Sequence, residues 1–121
     1  MSSRIMVVTG DEQRRSVLLE TLNDAGYVVS GAATFAEAKE LLERRSADLV
    51  IADERLGPFN GLHVIVVGRA HYPRMKAIVT SQVKDEGLEN DAKRLNVQCL
   101  VQPLEPSDWL EPISRTLETI H

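Results

Sequence analysis

Residues 49–61 of the chain read LVIADERLGPFNG. The first four residues, Leu49 to Ala52, are all apolar, as expected of a strand that is buried on both faces. Asp53 follows them directly, and the residues from Gly57 to Gly61 have the composition of a turn. The stretch therefore predicts a buried strand that ends in an acidic side chain, followed by a tight loop.

Apolar strands and helical patterns alternate on both sides of this stretch. Four further strands are predicted at 5–8, 27–33, 77–80 and 97–101. Helices are predicted from Glu12 to Gly26, from Thr34 to about Arg45, over 62–70, over 86–95, and from Ser107 or Asp108 to the end. The β-branched residues within 62–70 would also suit a strand. We predict a helix there because a helix continues the alternation of strands and helices. This order indicates a parallel α/β sheet with right-handed crossovers.

Three of the helices carry more detailed signals. Thr34 and Glu37 match a capping box, in which each side chain accepts a hydrogen bond from a free backbone amide. Apolar residues at helical spacing predict the buried faces of the first helix (Val17, Leu18, Leu22, Ala25) and the last (Leu110, Ile113, Leu117, Ile120).

Composition limits the kind of protein this can be. The 121 residues predict one domain over 1–121, and the single Cys99 excludes a disulfide scaffold. The net charge of −4, the scattered basic residues and the 4% aromatic content argue against direct binding of nucleic acid. No apolar run is long enough to span a membrane, and no signal for secretion precedes the first strand, so we expect a cytoplasmic protein.

The functional crevice of an open parallel sheet lies beyond the carboxyl ends of its strands, where the strand order reverses. The residues predicted to lie there are Thr9, Gly10, Asp11, Asp53 and Ser81. These positions are the first candidates for a functional site.

Around these positions the sequence resembles the receiver domains of two-component response regulators. The strongest match is Asp53 followed by Leu56, Pro58 and Gly61. Further matches lie at 5–8, 26–29, Glu37-Ala38, 48–53, 77–81 and 99–103. The resemblance implies a flavodoxin-like three-layer α/β/α sandwich, with a five-stranded parallel sheet in the order 2-1-3-4-5 and five helices.

The resemblance also implies a function, which is signalling rather than catalysis. Receiver domains accept a phosphoryl group from a histidine kinase on an aspartate, which corresponds to Asp53. The fourth helix, fifth strand and fifth helix carry the output in many of them. A sensor histidine kinase or another signalling protein is the expected partner, and a homodimer stays open.

Only part of the family's phosphorylation site is present. Ser81 corresponds to the switch hydroxyl, with Thr80 as the neighbouring candidate. The acidic pair that holds Mg²⁺ in the family falls on Thr9 and Gly10, neither of which can bind a cation. Gln102 stands before Pro103 in place of the lysine, and Cys99 stands in place of the switch aromatic residue.

These replacements are electrostatically consistent with one another. A complete site combines three carboxylates, one ammonium group and a metal ion. The ammonium group and the metal ion supply the positive charge that faces the phosphoryl oxygens. Losing only the lysine would leave uncompensated negative charge in a partly buried site, which is costly, whereas losing acids and lysine together avoids this. We therefore predict an incomplete phosphorylation site with weak or absent Mg²⁺ binding and no other cofactor.

Other interpretations stay open at this stage. Asp11 or Glu12 could act as a displaced metal ligand, with Asp53, in a conventional Mg²⁺-dependent receiver, although Asp11 is favoured as a helix cap. Arg55 could fold over Asp53 and replace the lost cation. A flavodoxin-like nucleotide or flavin binder is suggested by the architecture and by Thr9-Gly10, but the turn lacks a glycine-rich phosphate loop. A hydrolase with an aspartyl nucleophile is weaker still.

The remaining chemistry-bearing residues favour ordinary structural roles. His63, His71 and His121 have no spacing that indicates a metal site, so we expect them at the surface. Cys99 is expected to fill a small buried space, and Trp109 to pack at the start of the last helix.

Overall fold

A parallel sheet of five strands organises the chain in the computed structural model, which describes residues 2–102 and 104–118. The strands are β1 (Arg4–Val8), β2 (Val28–Ala32), β3 (Leu49–Asp53), β4 (Lys76–Ser81) and β5 (Gln98–Val101). The helices are α1 (Glu12–Asp24), α2 (Phe35–Arg44), α3 (Gly61–His71), α4 (Glu86–Arg94) and α5 (Leu110–Glu118). The sheet order is β2-β1-β3-β4-β5 with every pairing parallel, which confirms the predicted architecture.

Both faces of the sheet are covered by helices, because the central strands are apolar on both sides. In β1, Met6 and Val8 pack with Leu42 of α2, whereas Ile5 and Val7 belong to the core that contains α1 and Trp109. Successive residues of a strand point to opposite faces, so this run supplies both cores at once.

The ambiguous stretch 62–70 is a helix, as predicted. Asn60 caps α3 by accepting a hydrogen bond from the amide of Leu62 at 2.8 Å. A Cβ at Gly68 would lie 2.5 Å from Cε of Met75 and 3.2 Å from Cδ1 of Leu42, so α3 packs closely against these two side chains at the glycine. The helix buries Leu62, Val64 and Ile65, but Val66 is 52% exposed, so α3 is not buried on all sides.

The buried face of α1 and the cap of α2 differ from the sequence prediction. Leu18 and Leu22 of α1 are buried, but Val17 is 40% exposed and Ala25 is an exposed C-cap, so the buried face of α1 is narrower than predicted. The Thr34 hydroxyl accepts from the amide of Glu37 at 3.1 Å, whereas the Glu37 carboxylate accepts from Ala33, one residue before the cap.

The last helix also begins later than predicted. A 3₁₀ turn at Pro106–Trp109 comes first, and α5 starts only at Leu110. Trp109 is buried in this turn, which confirms its expected packing role, and Ile113 is buried on α5. The predicted contribution of Ile120 lies outside the described residues. Among the described residues, no helix has the length and hydropathy needed to cross a membrane.

Candidate functional site

Asp53 is positioned by β3 and by the loop that follows it. Its backbone is paired with Thr80 of β4. After Asp53 the chain forms a small hairpin, Arg55–Leu56 with Phe59–Asn60, whose turn contains Gly57 at a φ of 62°. A Cβ at Gly61 would lie 2.1 Å from the backbone oxygen of Asp53. The glycine is therefore required where α3 begins directly against the end of β3.

Three side chains donate hydrogen bonds to the carboxylate of Asp53. The hydroxyl of Thr9 donates to Oδ2 at 2.6 Å, and the hydroxyl of Thr80 donates to Oδ1 at 2.7 Å. The guanidinium of Arg14 also donates to Oδ2 and forms an ion pair with it. The Asp53 and Arg14 side chains are 19% and 27% exposed, so the ion pair is partly shielded from solvent.

Arg14 reaches this site because of the way α1 begins. Asp11 caps the helix by accepting from the amide of Arg14 at 3.0 Å, which places Arg14 in the first turn beside the end of β1. Its guanidinium also donates to the hydroxyl of Thr9 at 2.9 Å. Thr9 therefore accepts from Arg14 and donates to Asp53, and it fixes the two charged groups relative to each other.

The sequence interpretation misses Arg14. It expects a replacement cation, if any, at Arg55, which is exposed and makes no hydrogen bond or ion pair with Asp53 in the described part of the chain. The available signal is positional, since a long basic side chain in the first turn of a helix beyond β1 lies next to the carboxyl edge of the sheet.

The acidic residues near the site do not gather around Asp53. Asp11 serves as the cap of α1, the role that the sequence favoured, and its Oδ2 lies 3.8 Å from Nη1 of Arg14. Glu12 is an exposed residue of the first turn of α1. Over residues 2–102 and 104–118, no cluster of three or more His, Cys, Asp or Glu side chains has the geometry to hold a metal ion.

The hydroxyl groups of Ser81 and Thr80 have different partners. The hydroxyl of Ser81 donates to the backbone oxygen of Val83 at 2.7 Å, so of the two candidates it is Thr80 that contacts Asp53. The role of Ser81 as the switch hydroxyl stays a prediction. Gln102, at the lysine position, is buried beside the site, and its backbone amide donates to the backbone oxygen of Ser81 at 2.7 Å. Pro103 lies outside the described residues.

Cys99 is only half-buried, less than the sequence predicted, and His63 and His71 lie at the surface, as expected. Burial raises the pKa of the Cys99 thiol, and the negative charges of Glu89, Glu54 and Asp85 raise it further. A thiol that stays protonated is a poor nucleophile, which agrees with a packing role. His63 helps to cap α3 by accepting from the amide of Asn60. His71 packs beside a tyrosine, and His121 lies outside the described residues.

A cavity of about 420 Å³ opens next to Asp53, between the ends of β3 and β4. It is lined by Asp53, Glu54, Arg55, Thr80, Ser81, Gln82, Val83 and Asp85. None of these lining residues is aromatic, so they offer no ring to stack against a flavin or a base.

The match to a family model decides the classification. The model of the response regulator receiver domain matches residues 5–113, which is most of the chain. The chain belongs to this family. Receiver domains interact with histidine kinases and other signalling proteins, and they are generally signalling modules.

Curated relatives agree with this classification. The receiver domain is 30% identical over 116 residues to the alginate biosynthesis transcriptional regulatory protein AlgB of Pseudomonas aeruginosa. The match covers 95% of this chain but 26% of AlgB, so the chain spans about a quarter of that relative's length. It is also 27% identical to the chemotaxis protein CheY of Thermotoga maritima, over 95% of this chain and 98% of CheY.

Solved structures support the fold. A CheY-like receiver domain protein from Methanospirillum hungatei superposes with a TM-score of 0.89 at 24% identity, covering 98% of this chain and 95% of that one. The non-phosphorylated HemR receiver domain from Leptospira biflexa gives a TM-score of 0.88 at 22% identity, covering 99% and 98%.

Proposed function

We propose that this receiver domain transmits its signal through protein–protein contacts and that its Asp53 site works without a bound Mg²⁺ ion. The observation that carries the proposal is the ion pair between Arg14 and Asp53, supported by the hydroxyl of Thr9. The domain is then not an enzyme, it acts in the cytoplasm, and its partner is a sensor histidine kinase or another signalling protein.

The charges around Asp53 support the proposal. Arg14 neutralises the carboxylate, and the residues at the positions of the acidic pair, Thr9 and Gly10, bring no charge. A divalent ion 4 Å from the guanidinium would be repelled by about 8 kcal/mol at an effective dielectric constant of about 20. The carboxylates of Asp53, Asp11, Glu54 and Asp85 would offset part of this repulsion, but among the described residues no three such side chains come together in a geometry that could hold the ion. We therefore expect metal binding to be weak while Arg14 stays paired with Asp53.

The same ion pair makes the loss of the lysine understandable. Gln102 is neutral and buried close to the site. The positive charge next to Asp53 comes from the first turn of α1 instead of from the loop after β5. The replacements at Thr9, Gly10 and Gln102 and the position of Arg14 thus form one electrostatic arrangement.

The hydrogen bonds to Asp53 also lower its reactivity. Its two carboxylate oxygens accept from Thr9, Thr80 and Arg14. Each of these bonds withdraws electron density from the carboxylate and makes it a weaker nucleophile, and a site that works without Mg²⁺ lacks the ion's stabilisation of the transferring group. We therefore expect Asp53 to be a slow phosphoacceptor.

A phosphotransfer assay tests the proposal. The protein is incubated with phosphoramidate, with and without Mg²⁺, and modification of Asp53 is followed by intact-mass and peptide mass spectrometry. We expect slow, substoichiometric modification that Mg²⁺ does not accelerate. Rapid, stoichiometric and Mg²⁺-dependent modification would reject the proposal in favour of a conventional receiver that uses Asp11 or Glu12 as a metal ligand.

Restoring the missing groups provides the positive control. A Cβ at Gly10 would make only an ordinary contact, 3.7 Å from the oxygen of Ala33, so the position has room for a side chain. The variant Thr9→Asp/Gly10→Asp/Arg14→Ala/Gln102→Lys, which restores both the acidic pair and the lysine, is expected to gain Mg²⁺-dependent phosphorylation. Arg55→Ala, which removes a nearby arginine with no hydrogen bond or ion pair to Asp53 among the described residues, is the matched control and is expected to behave like the unaltered protein.

A further inference from the structure

The strand β2 forms one edge of the sheet, because it is the outermost strand next to β1. The Val28 amide donates to a backbone oxygen just before β1 at 3.0 Å, and the Ala32 oxygen accepts from an amide just after β1 at 3.0 Å. Hydrogen-bonding groups alternate between the two sides of a strand, so the N–H and C=O groups of Val29 and Gly31 point outward. This edge can pair with a further strand.

A basic cavity lies at the amino end of this edge. It has a volume of about 300 Å³ and is enclosed by the first residues of β2, the start of β1 and the segment that joins α2 to β3. Its charged lining residues are Arg4, Arg44 and Arg45, and no carboxylate of the described chain lines it. Ser30 and Ser46 add hydroxyl groups to the same wall.

The arginines of this cavity are available to bind an anion. Within the described residues, the guanidinium groups of Arg4 and Arg45 form no ion pair. Arg44 pairs with Glu40 at 2.6 Å, but these side chains are 70% and 60% exposed. An exposed pair of this kind is weak, so Arg44 can exchange its partner.

An apolar side chain adjoins the charges. Val28 is 50% exposed and lines the cavity together with Ser30. Side chains of alternate residues share a face of the sheet, so Val28 and Ser30 lie on the same face as Ala32, which packs in the core that contains α2. A strand added next to β2 would place every second side chain on this face, beside Arg44 and Arg45.

We propose that the edge of β2 binds an extended acidic segment of a partner protein. The backbone of the segment pairs with Val29 and Gly31, and its carboxylates bind the arginines of the cavity. Strand addition of this kind supplies affinity through the backbone and specificity through alternate side chains. The site lies apart from Asp53, so the proposal does not depend on the state of that residue. An acidic peptide is favoured over nucleic acid because the open edge of β2 pairs with the backbone of another peptide, which a nucleic acid does not supply.

An NMR titration with defined peptides tests this proposal. The probe is an eight-residue peptide of alternating Val and Glu, and two controls carry Gln in place of Glu or N-methyl groups on alternate amides. Binding of the probe is expected to shift the amide signals of Val29 and Gly31 and to weaken as salt increases. Both control peptides are expected to bind more weakly, because one lacks the charges and the other lacks the backbone donors.

Protein variants locate the charge contacts. Arg44→Ala and Arg45→Ala are each expected to weaken binding of the probe by about two- to fivefold. Arg94→Ala removes an exposed arginine on α4 and is expected to change nothing. No binding of the probe at millimolar concentration, equal binding of all three peptides, or shifts confined to other strands would overturn the proposal. Tighter binding of a single-stranded oligonucleotide at the same arginines would overturn it in favour of nucleic acid.

Discussion

Replacing Arg14 by alanine should destabilise the protein through its effect on Asp53. The substitution removes a charged hydrogen bond to a carboxylate that is 19% exposed and leaves that charge with only the hydroxyls of Thr9 and Thr80 as described donors. Hydrogen bonds to charged groups contribute about 1.5–3 kcal/mol, and the partial exposure of both groups favours the lower half of that range. We predict a loss of about 2 kcal/mol, or a fall of about 8 °C in Tm.

A double-mutant cycle separates the ion pair from other effects of the substitution. Arg14→Ala, Asp53→Asn and the double variant are compared by urea unfolding followed by circular dichroism. We expect a coupling energy of about 1–2 kcal/mol, because the amide introduced by Asp53→Asn has no charge for Arg14 to neutralise. Arg55→Ala is the matched control, with an expected change within about 0.5 kcal/mol. Additivity of the two single substitutions within about 0.3 kcal/mol would refute the reasoning.

Three further predictions concern other parts of the fold. Gly61→Ala should lower the free energy of unfolding by about 3 kcal/mol or more, because the added Cβ would lie 2.1 Å from the backbone of Asp53. Gly57→Ala should lower it by only about 1–2 kcal/mol, because Gly57 has a φ of 62° but open space around it. Equal losses in urea unfolding would contradict the packing argument. Arg69→Ala should lower the free energy of unfolding by about 2–3 kcal/mol, because the guanidinium donates to backbone oxygens just before β4 and just after α4. A loss below about 0.5 kcal/mol would show that these bonds contribute little. Because the pKa of Cys99 is raised, iodoacetamide should alkylate this thiol more slowly than a free thiol at about pH 8. The pH at which the alkylation rate rises should also be higher than for a free thiol. A rate that rises at a lower pH than that of a free thiol would contradict the assignment.

The same raised pKa has a consequence for stability. A folded-state pKa above the unfolded value means that the protonated thiol of Cys99 is favoured by folding. As the pH rises above the unfolded pKa, the thiol ionises more readily in the unfolded chain than in the folded one, so the unfolded state gains stability. The protein is therefore expected to lose stability on the alkaline side of neutrality, between the unfolded and the folded pKa.

The strands and the position of Asp53 could be predicted because their signals are local. A buried parallel strand is a short apolar run, and the run 49–52 places Asp53 at its end without any information about the rest of the fold. Gly61 could also be recognised from its spacing, and the structure supplies its reason, which is the close approach of the Asp53 backbone. Residues whose role follows from the backbone are thus accessible from the sequence.

The partners of Asp53 could not be predicted in the same way. Thr80 and Ser81 are consecutive residues of β4, so their side chains point to opposite faces of the sheet. An error of one residue in the predicted register therefore selects the wrong hydroxyl. Arg14 acts through a long side chain whose direction depends on the helix cap at Asp11 and on the hydroxyl of Thr9.

The exposure of Val17 depends on how α1 lies against its neighbours, which periodicity alone does not determine.

The most direct test of the account is the affinity of the unaltered protein for Mg²⁺, measured by calorimetry at low ionic strength and by crystallography after soaking. Because Arg14 neutralises Asp53, we predict no saturable binding below about 1 mM and no ion at the site. Saturable binding of one Mg²⁺ per chain, with an octahedral ion held by Asp53 and a second side-chain carboxylate, would contradict the account.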